Sequence, residues 1–148
     1  MARVCFALYR LFPLFGSLRA SVAIIRRTSE ILVIQRNDGR GLSLPGGIAR
    51  RRESEEDALR REVFEETGLT IHSPQLQMRY QSAADVPCEI SVFEVQVTGE
   101  LRNSWEGTPA WKTAAELESG IVKSQRPVLE LLRKMSASTP FSSGQHIL

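Results

Sequence analysis

The chain has 148 residues and a mass of 16.6 kDa, room for one domain and a short tail. At 42% hydrophobic and 24% charged it has the make-up of a soluble globular protein, which excludes a disordered chain. A net charge of +2 is too mild to mark a nucleic-acid binder, and two cysteines and two histidines exclude a four-cysteine zinc site or a disulfide framework.

The longest apolar stretch, Val4 to Phe15, is interrupted by Arg10 and Pro13 and is too short to span a bilayer. Arg10 also breaks the apolar core that a signal peptide needs. Residues 1–19 are therefore expected to form a short helix packed on the domain, with a membrane-surface helix or a dimer contact as the other options. The default location is the cytoplasm.

Ala20–Arg27 and Glu30–Gln35 read as a hairpin of two strands around Thr28-Ser29, and Asn37 to Gly41 as a turn-rich loop. Leu42–Leu44 is a brief strand stopped by Pro45-Gly46-Gly47. Ser54 caps the strongest helix of the chain, with Glu55, Glu56 and Asp57 in its first turn and Gly68 as its stop. Leu69–Ile71, Leu76–Gln81 and Glu89–Val97 read as strands, Trp111–Leu117 as the start of a short helix, and Ser124–Met135 as an amphipathic helix. The domain spans 20–135, and 136–148 is expected to be a loose tail. Strands flanked by two or three helices in irregular order predict a layered α/β domain.

The chemistry lies on the central helix. Glu62, Glu65 and Glu66 stand at i, i+3 and i+4, within an arc of roughly 100°. Like charges at that spacing repel. A solvated acidic face paired with Arg60 and Arg61 is one reading of such a helix; converging carboxylates that hold a hard divalent cation, Mg²⁺ or Mn²⁺, are the other. Metal-activated water attacking phosphorus is the reaction that the second arrangement favours.

The residues around the helix decide between them. Gly47, five residues, Glu53, seven residues, Arg61-Glu62-Val63, Phe64, Glu65-Glu66, Thr67 and Gly68-Leu69 resemble the Nudix box, G-x5-E-x7-R-E-U-x-E-E-x-G-U, with every specified position filled. A chance match is on the order of 10⁻⁷ at average amino-acid usage. Pro45-Gly46 before the box, and Trp111 with Glu116-Leu117 after it, are also similar to the family's usual surroundings. The looser resemblance runs from about Ala20 to Met135.

The resemblance implies an α/β/α sandwich with a mixed β-sheet. It also implies metal-dependent hydrolysis of a diphosphate linkage, in a nucleoside triphosphate or a nucleoside diphosphate-linked compound, by water attack at phosphorus. Glu62, Glu65, Glu66 and the carbonyl of Gly46 become the expected metal ligands. Arg61 would orient the carboxylates through its planar fork, and Glu53 would approach the metal through water or hold its geometry. The general base stays open between Glu62, Glu66 and a residue outside the box, for which Glu106 is the best candidate. Gly46, Gly47 and Gly68 also read as backbone supports at tight turns.

Arg36, Arg40, Arg50 and Arg51 are candidate phosphate contacts; for Arg50-Arg51-Arg52 a solvated run paired with Glu55, Glu56 and Asp57 is the competing reading. Trp105, Trp111, Tyr80 and Phe93 could stack on a base, although buried core is the commoner fate of an aromatic. His72 and His146 are given no role. The expected partner is a small phosphorylated molecule, with a homodimer possible and nucleic acid not expected. Two alternatives are an RNA 5′-end pyrophosphohydrolase, with Arg50 to Arg52 tracking the backbone, and a non-catalytic nucleotide-binding module.

Overall fold

A computed structural model describes residues 18–138. Of the helix expected over 1–19, residues 1–17 lie outside the described residues, as does most of the expected tail, including His146; Leu18 and Arg19 belong to a strand instead of that helix. The chain runs β1 (Leu18–Ile24), β2 (Arg26–Arg27), β3 (Glu30–Arg36), β4 (Leu42–Ser43), β5 (Gly46–Ile48), α1 (Glu55–Thr67), β6 (Thr70–Ser82), β7 (Cys88–Thr98), β8 (Gly107–Thr113), α2 (Ala114–Gly120), a 3₁₀ turn (Lys123–Gln125) and α3 (Val128–Ser136).

One sheet is mixed, in the order β5-β1-β7-β6, with β1 parallel to β7 and the other pairs antiparallel. Alternation along its strands feeds two separate cores. Ala20, Val22, Ile24, Ile90 and Val92 face α3, where Val128, Leu132 and Met135 close one core. Ala23, Phe93, Val95 and Val97 face the other way, onto Leu59 and Val63 of α1. The mixed sheet is thus covered by a helix on each face, the α/β/α arrangement. A second, antiparallel sheet is built on β3, which pairs with β2, β4 and β8.

The capping residues work as their chemistry dictates. The Ser54 hydroxyl accepts the Asp57 N–H at 3.0 Å. Gly68 takes the left-handed conformation (φ 78°) and donates its N–H to the Phe64 carbonyl, ending α1. A Cβ there would stand 2.9 Å from the Glu100 carbonyl oxygen.

Four local expectations need correction. Only Arg26-Arg27 forms a hairpin with β3; β1 leaves it at Ile25 to join the other sheet. Residues 70–82 form one continuous strand, because register shifts between His72 and Gln75 and between Leu76 and Met78 absorb Ser73-Pro74 without ending the ladder. Trp111 lies in β8, opposite Leu32, and the helix after it starts only at Ala114, where Thr113 and Glu116 form a capping box. The last amphipathic segment is divided: a 3₁₀ turn comes first, and α3 starts after Pro127.

Leu59 and Phe64 share α1 but sit in opposite environments, fully buried and 47% exposed. In urea unfolding, Leu59→Ala is expected to cost about 2–5 kcal/mol, the usual range for a buried leucine. Phe64→Ala loses only a surface contact with the Arg102 guanidinium and is expected to cost about 1 kcal/mol or less.

Candidate active site

Strand β5, the loop after it and helix α1 bring the box residues together. Gly46 lies so close to β1 that a Cβ would stand 2.1 Å from the Ser21 carbonyl oxygen; at Gly47 it would stand 2.6 Å from the Glu62 carboxyl carbon. Gly46 therefore lets β5 close on β1, and Gly47 lets the Glu62 carboxyl of α1 settle against β5.

Arg61 is the hub of this contact. Its Nε and Nη2 donate to the two oxygens of Glu53 at 2.8 and 2.9 Å, a fork-to-carboxylate pair. Nη1 donates to Glu62, and Nη2 also reaches the Ile48 carbonyl at 3.2 Å. Glu53 also accepts the Arg50 N–H at 2.8 Å, and its own carbonyl accepts from Arg19. The Arg61 bond, helped by the Arg50 N–H, holds the Glu53 carboxyl down at about 2. Glu53 thus braces the loop through Arg61.

Glu66 is buried, 6% exposed, and accepts the Gly46 N–H at 2.8 Å. Burial pushes its carboxyl up to about 9; a side-chain hydrogen bond with Glu106 and the like charges of Glu106 and Glu62 add to this. Glu62 is also raised by burial, although its bond to Arg61 opposes this. Glu106 reaches this spot from the loop before β8. Glu65 points away: its side chain is 53% exposed and lies 3.6 Å from Arg61 and 4.0 Å from Arg50.

The three box glutamates therefore do not meet at one point. Glu62 rests on Arg61 and Glu65 on the surface, and among the described residues no three acidic, histidine or cysteine side chains form a ready metal cage. The donor set nonetheless fits a hard divalent cation. Glu66 is a buried carboxyl that accepts one amide N–H and meets the Glu106 carboxyl, it also faces Glu62, and all these groups offer oxygens.

Arg36 lies between this cluster and a cavity. It binds Asp38 through Nη2 at 2.6 Å and senses the charges of Glu106 and Glu66. The cavity, about 380 Å³, is lined by Arg36, Arg40, Asp85, Lys123, Ser124 and Gln125, with Ala84 and Val122. Arg40 is only loosely engaged, 3.7 Å from both Asp38 and Asp85. Arg50 and Arg51 sit apart from this cavity, on the exposed loop before α1. Arg50 leans toward Glu65 rather than pairing with Glu55, Glu56 or Asp57.

Sequence reasoning missed several residues of this region. Arg19 ties the box loop to β1, Asp38 fixes Arg36, and Lys123, Ser124 and Gln125 form a cavity wall. Their only signal was polarity; Asp38 pairs with Arg36 two positions away, and long-range pairing brings in the others. Of the aromatics, Phe93 is core, Trp111 lies under Arg27, and the Tyr80 hydroxyl donates to the Ser124 carbonyl. Trp105 is 86% exposed, against the expectation of a buried aromatic.

The sequence profile of the NUDIX domain matches residues 17–132. A MutT-like protein of Streptomyces ambofaciens is 26% identical over 141 residues, covering 92% of this chain and 90% of its own. Among solved structures, the E. coli ORF135 protein superposes with a TM-score of 0.72 at 24% identity, over 86% of this chain and 96% of that one. The MutT NUDIX hydrolase of Burkholderia pseudomallei gives 0.69 at 24% identity, over 78% and 97%.

The Glu53–Arg61 pair makes a prediction for acid stability. A carboxyl held below its unfolded value contributes stability that is present above about 4.5 and lost as pH falls through about 2. Glu53→Gln is expected to be less stable than wild type at pH 7 and to show a shallower loss between pH 5 and pH 2, read by thermal melts across that range.

Proposed function

The chain belongs to the NUDIX domain family and is a pyrophosphohydrolase of that type; from that premise we propose that it cleaves a diphosphate linkage in a nucleoside triphosphate or a nucleoside diphosphate-linked compound. The carrying observation is the buried Glu66 carboxyl, which accepts the Gly46 N–H and lies against Glu106 and Glu62 at the foot of α1.

In this reading Glu62, Glu65, Glu66 and the Gly46 carbonyl hold Mg²⁺ or Mn²⁺. The cation, when bound, neutralises phosphate charge and acidifies water. Arg61 and Glu53 act by position: the guanidinium fork fixes the loop and limits where Glu62 can lie. Glu106 belongs to a different element and is not needed as a ligand, so it is the residue assigned to accept the proton of the attacking water. Arg36 and Arg40 would contact phosphate oxygens or the leaving moiety from the cavity, and Arg50 and Arg51 would add positive charge outside it.

The test is a panel of nucleoside diphosphate and triphosphate compounds with Mg²⁺ or Mn²⁺, with products resolved by phosphorus NMR. The expected products are a nucleoside monophosphate with pyrophosphate or a phosphorylated partner; inactivity across the panel with both metals overturns the proposal. Glu65→Gln and Glu66→Gln are each expected to lose at least 10–100-fold in activity and to lose the rise in melting temperature that Mn²⁺ gives the wild type. Glu106→Gln should keep that rise while kcat falls by about 100-fold.

A further inference from the structure

At 86% exposure, Trp105 leaves more of its surface in water than any other large apolar side chain of the described residues. Its backbone is clamped. The Asn37 side-chain amide donates to the Trp105 carbonyl at 3.0 Å, and the Asn37 N–H donates to the Glu106 carbonyl at 2.9 Å. Ser104 closes the turn, donating its N–H to the Gly107 carbonyl and accepting the Glu106 N–H on its hydroxyl.

The position of this turn is informative. The residue after Trp105 is Glu106, which faces Glu66. The residue before Asn37 is Arg36, which lines the cavity. Trp105 therefore belongs to the turn that presents Glu106 to the carboxylate cluster, and its carbonyl is held by the residue that follows the cavity-lining Arg36. The cavity itself contains no aromatic side chain, only charged, polar and small ones. Two other aromatics are already engaged: Trp111 lies under Arg27 and Phe64 under Arg102. A planar base bound there would have one free aromatic face to meet, on a turn that costs little further ordering.

We propose that Trp105 is a specificity-determining residue, stacking its indole on the base of a nucleotide whose phosphates reach the cation site of Glu62 and Glu66. This rests on the hydrolase reading above and adds to it a preference for substrates that carry an aromatic moiety. The indole is a sequence-tolerant platform, so it selects nucleotides from other phosphoanhydrides without choosing between bases.

The experiment uses the full chain, which has two tryptophans. Trp111→Phe leaves Trp105 as the sole indole reporter. Its fluorescence is expected to be quenched saturably by GMP and UMP and left unchanged by ribose 5-phosphate. Trp105→Ala, checked by melting to be folded, is expected to raise KM for nucleoside triphosphates about 10-fold, with kcat within twofold and tripolyphosphate hydrolysis unaltered; Trp105→Phe should restore most of the loss. Equal quenching by ribose 5-phosphate, or an unchanged KM in Trp105→Ala, overturns the inference. So does a change of oligomeric state on sedimentation with KM unchanged, which would mark Trp105 as a protein contact. Fluorescence reads stacking without turnover, so selective quenching in a chain that hydrolyses nothing would sink the hydrolase reading alone.

Discussion

The close approach of helix α1 to strand β5 sets the terms for the whole site. Any side chain at Gly47 would collide with the Glu62 carboxyl, and any at Gly46 with the backbone of β1. Because neither position carries one, the helix comes down far enough for the Gly46 amide to reach Glu66 and for Arg61 to reach the Ile48 carbonyl. The buried, mutually repelling carboxylates follow from that geometry. A helix of this sequence held farther from the sheet would carry its glutamates in water, as ordinary surface charge.

Two kinds of group share the resulting surface, and their separation is physical. Arg61, Arg19 and Glu53 are consumed by one another and by backbone carbonyls, so they brace the loop. Glu66 and Glu106 have no guanidinium bonded to them, and Glu66 carries the burial cost. Arg36 stands between the two regimes: its fork is fixed by Asp38, yet it faces the acidic cluster. Charge in this region is thus organised as a rigid pairing network beside an unbalanced acidic spot.

The sequence was most informative where contacts are local. The Ser54 cap, the Gly68 stop, the extent of α1 and the face carrying Glu62 and Glu66 all depend on residues a few positions apart, and periodicity exposes them. It was least informative where partners are distant. Nothing in β1 announces that it runs parallel to β7, and Trp111 reads as helical until β8 is paired with β3. The same applies inside the site. Spacing brings three glutamates onto one side of a helix, but the Arg61 side chain draws Glu62 aside, and Arg50 and Arg61 attract Glu65 outward. The exposure of Trp105 depends on a clamp from Asn37, 68 positions earlier, and pattern alone cannot supply it.

The placement of the first described strand carries a consequence for biosynthesis. β1 touches no strand adjacent to it in the chain; its partners are β5 and β7, and its inner residues are sealed by α3 near the other end. Arg26, just after it, donates to the Met135 carbonyl and to Glu94. A nascent chain emerging from the ribosome therefore holds an apolar ribbon with one edge unpaired until β7 has appeared, and lacks a lid over it until α3 follows. Vectorial synthesis delays the closing of this domain to its final stretch, and until then the ribbon stays open to a chaperone.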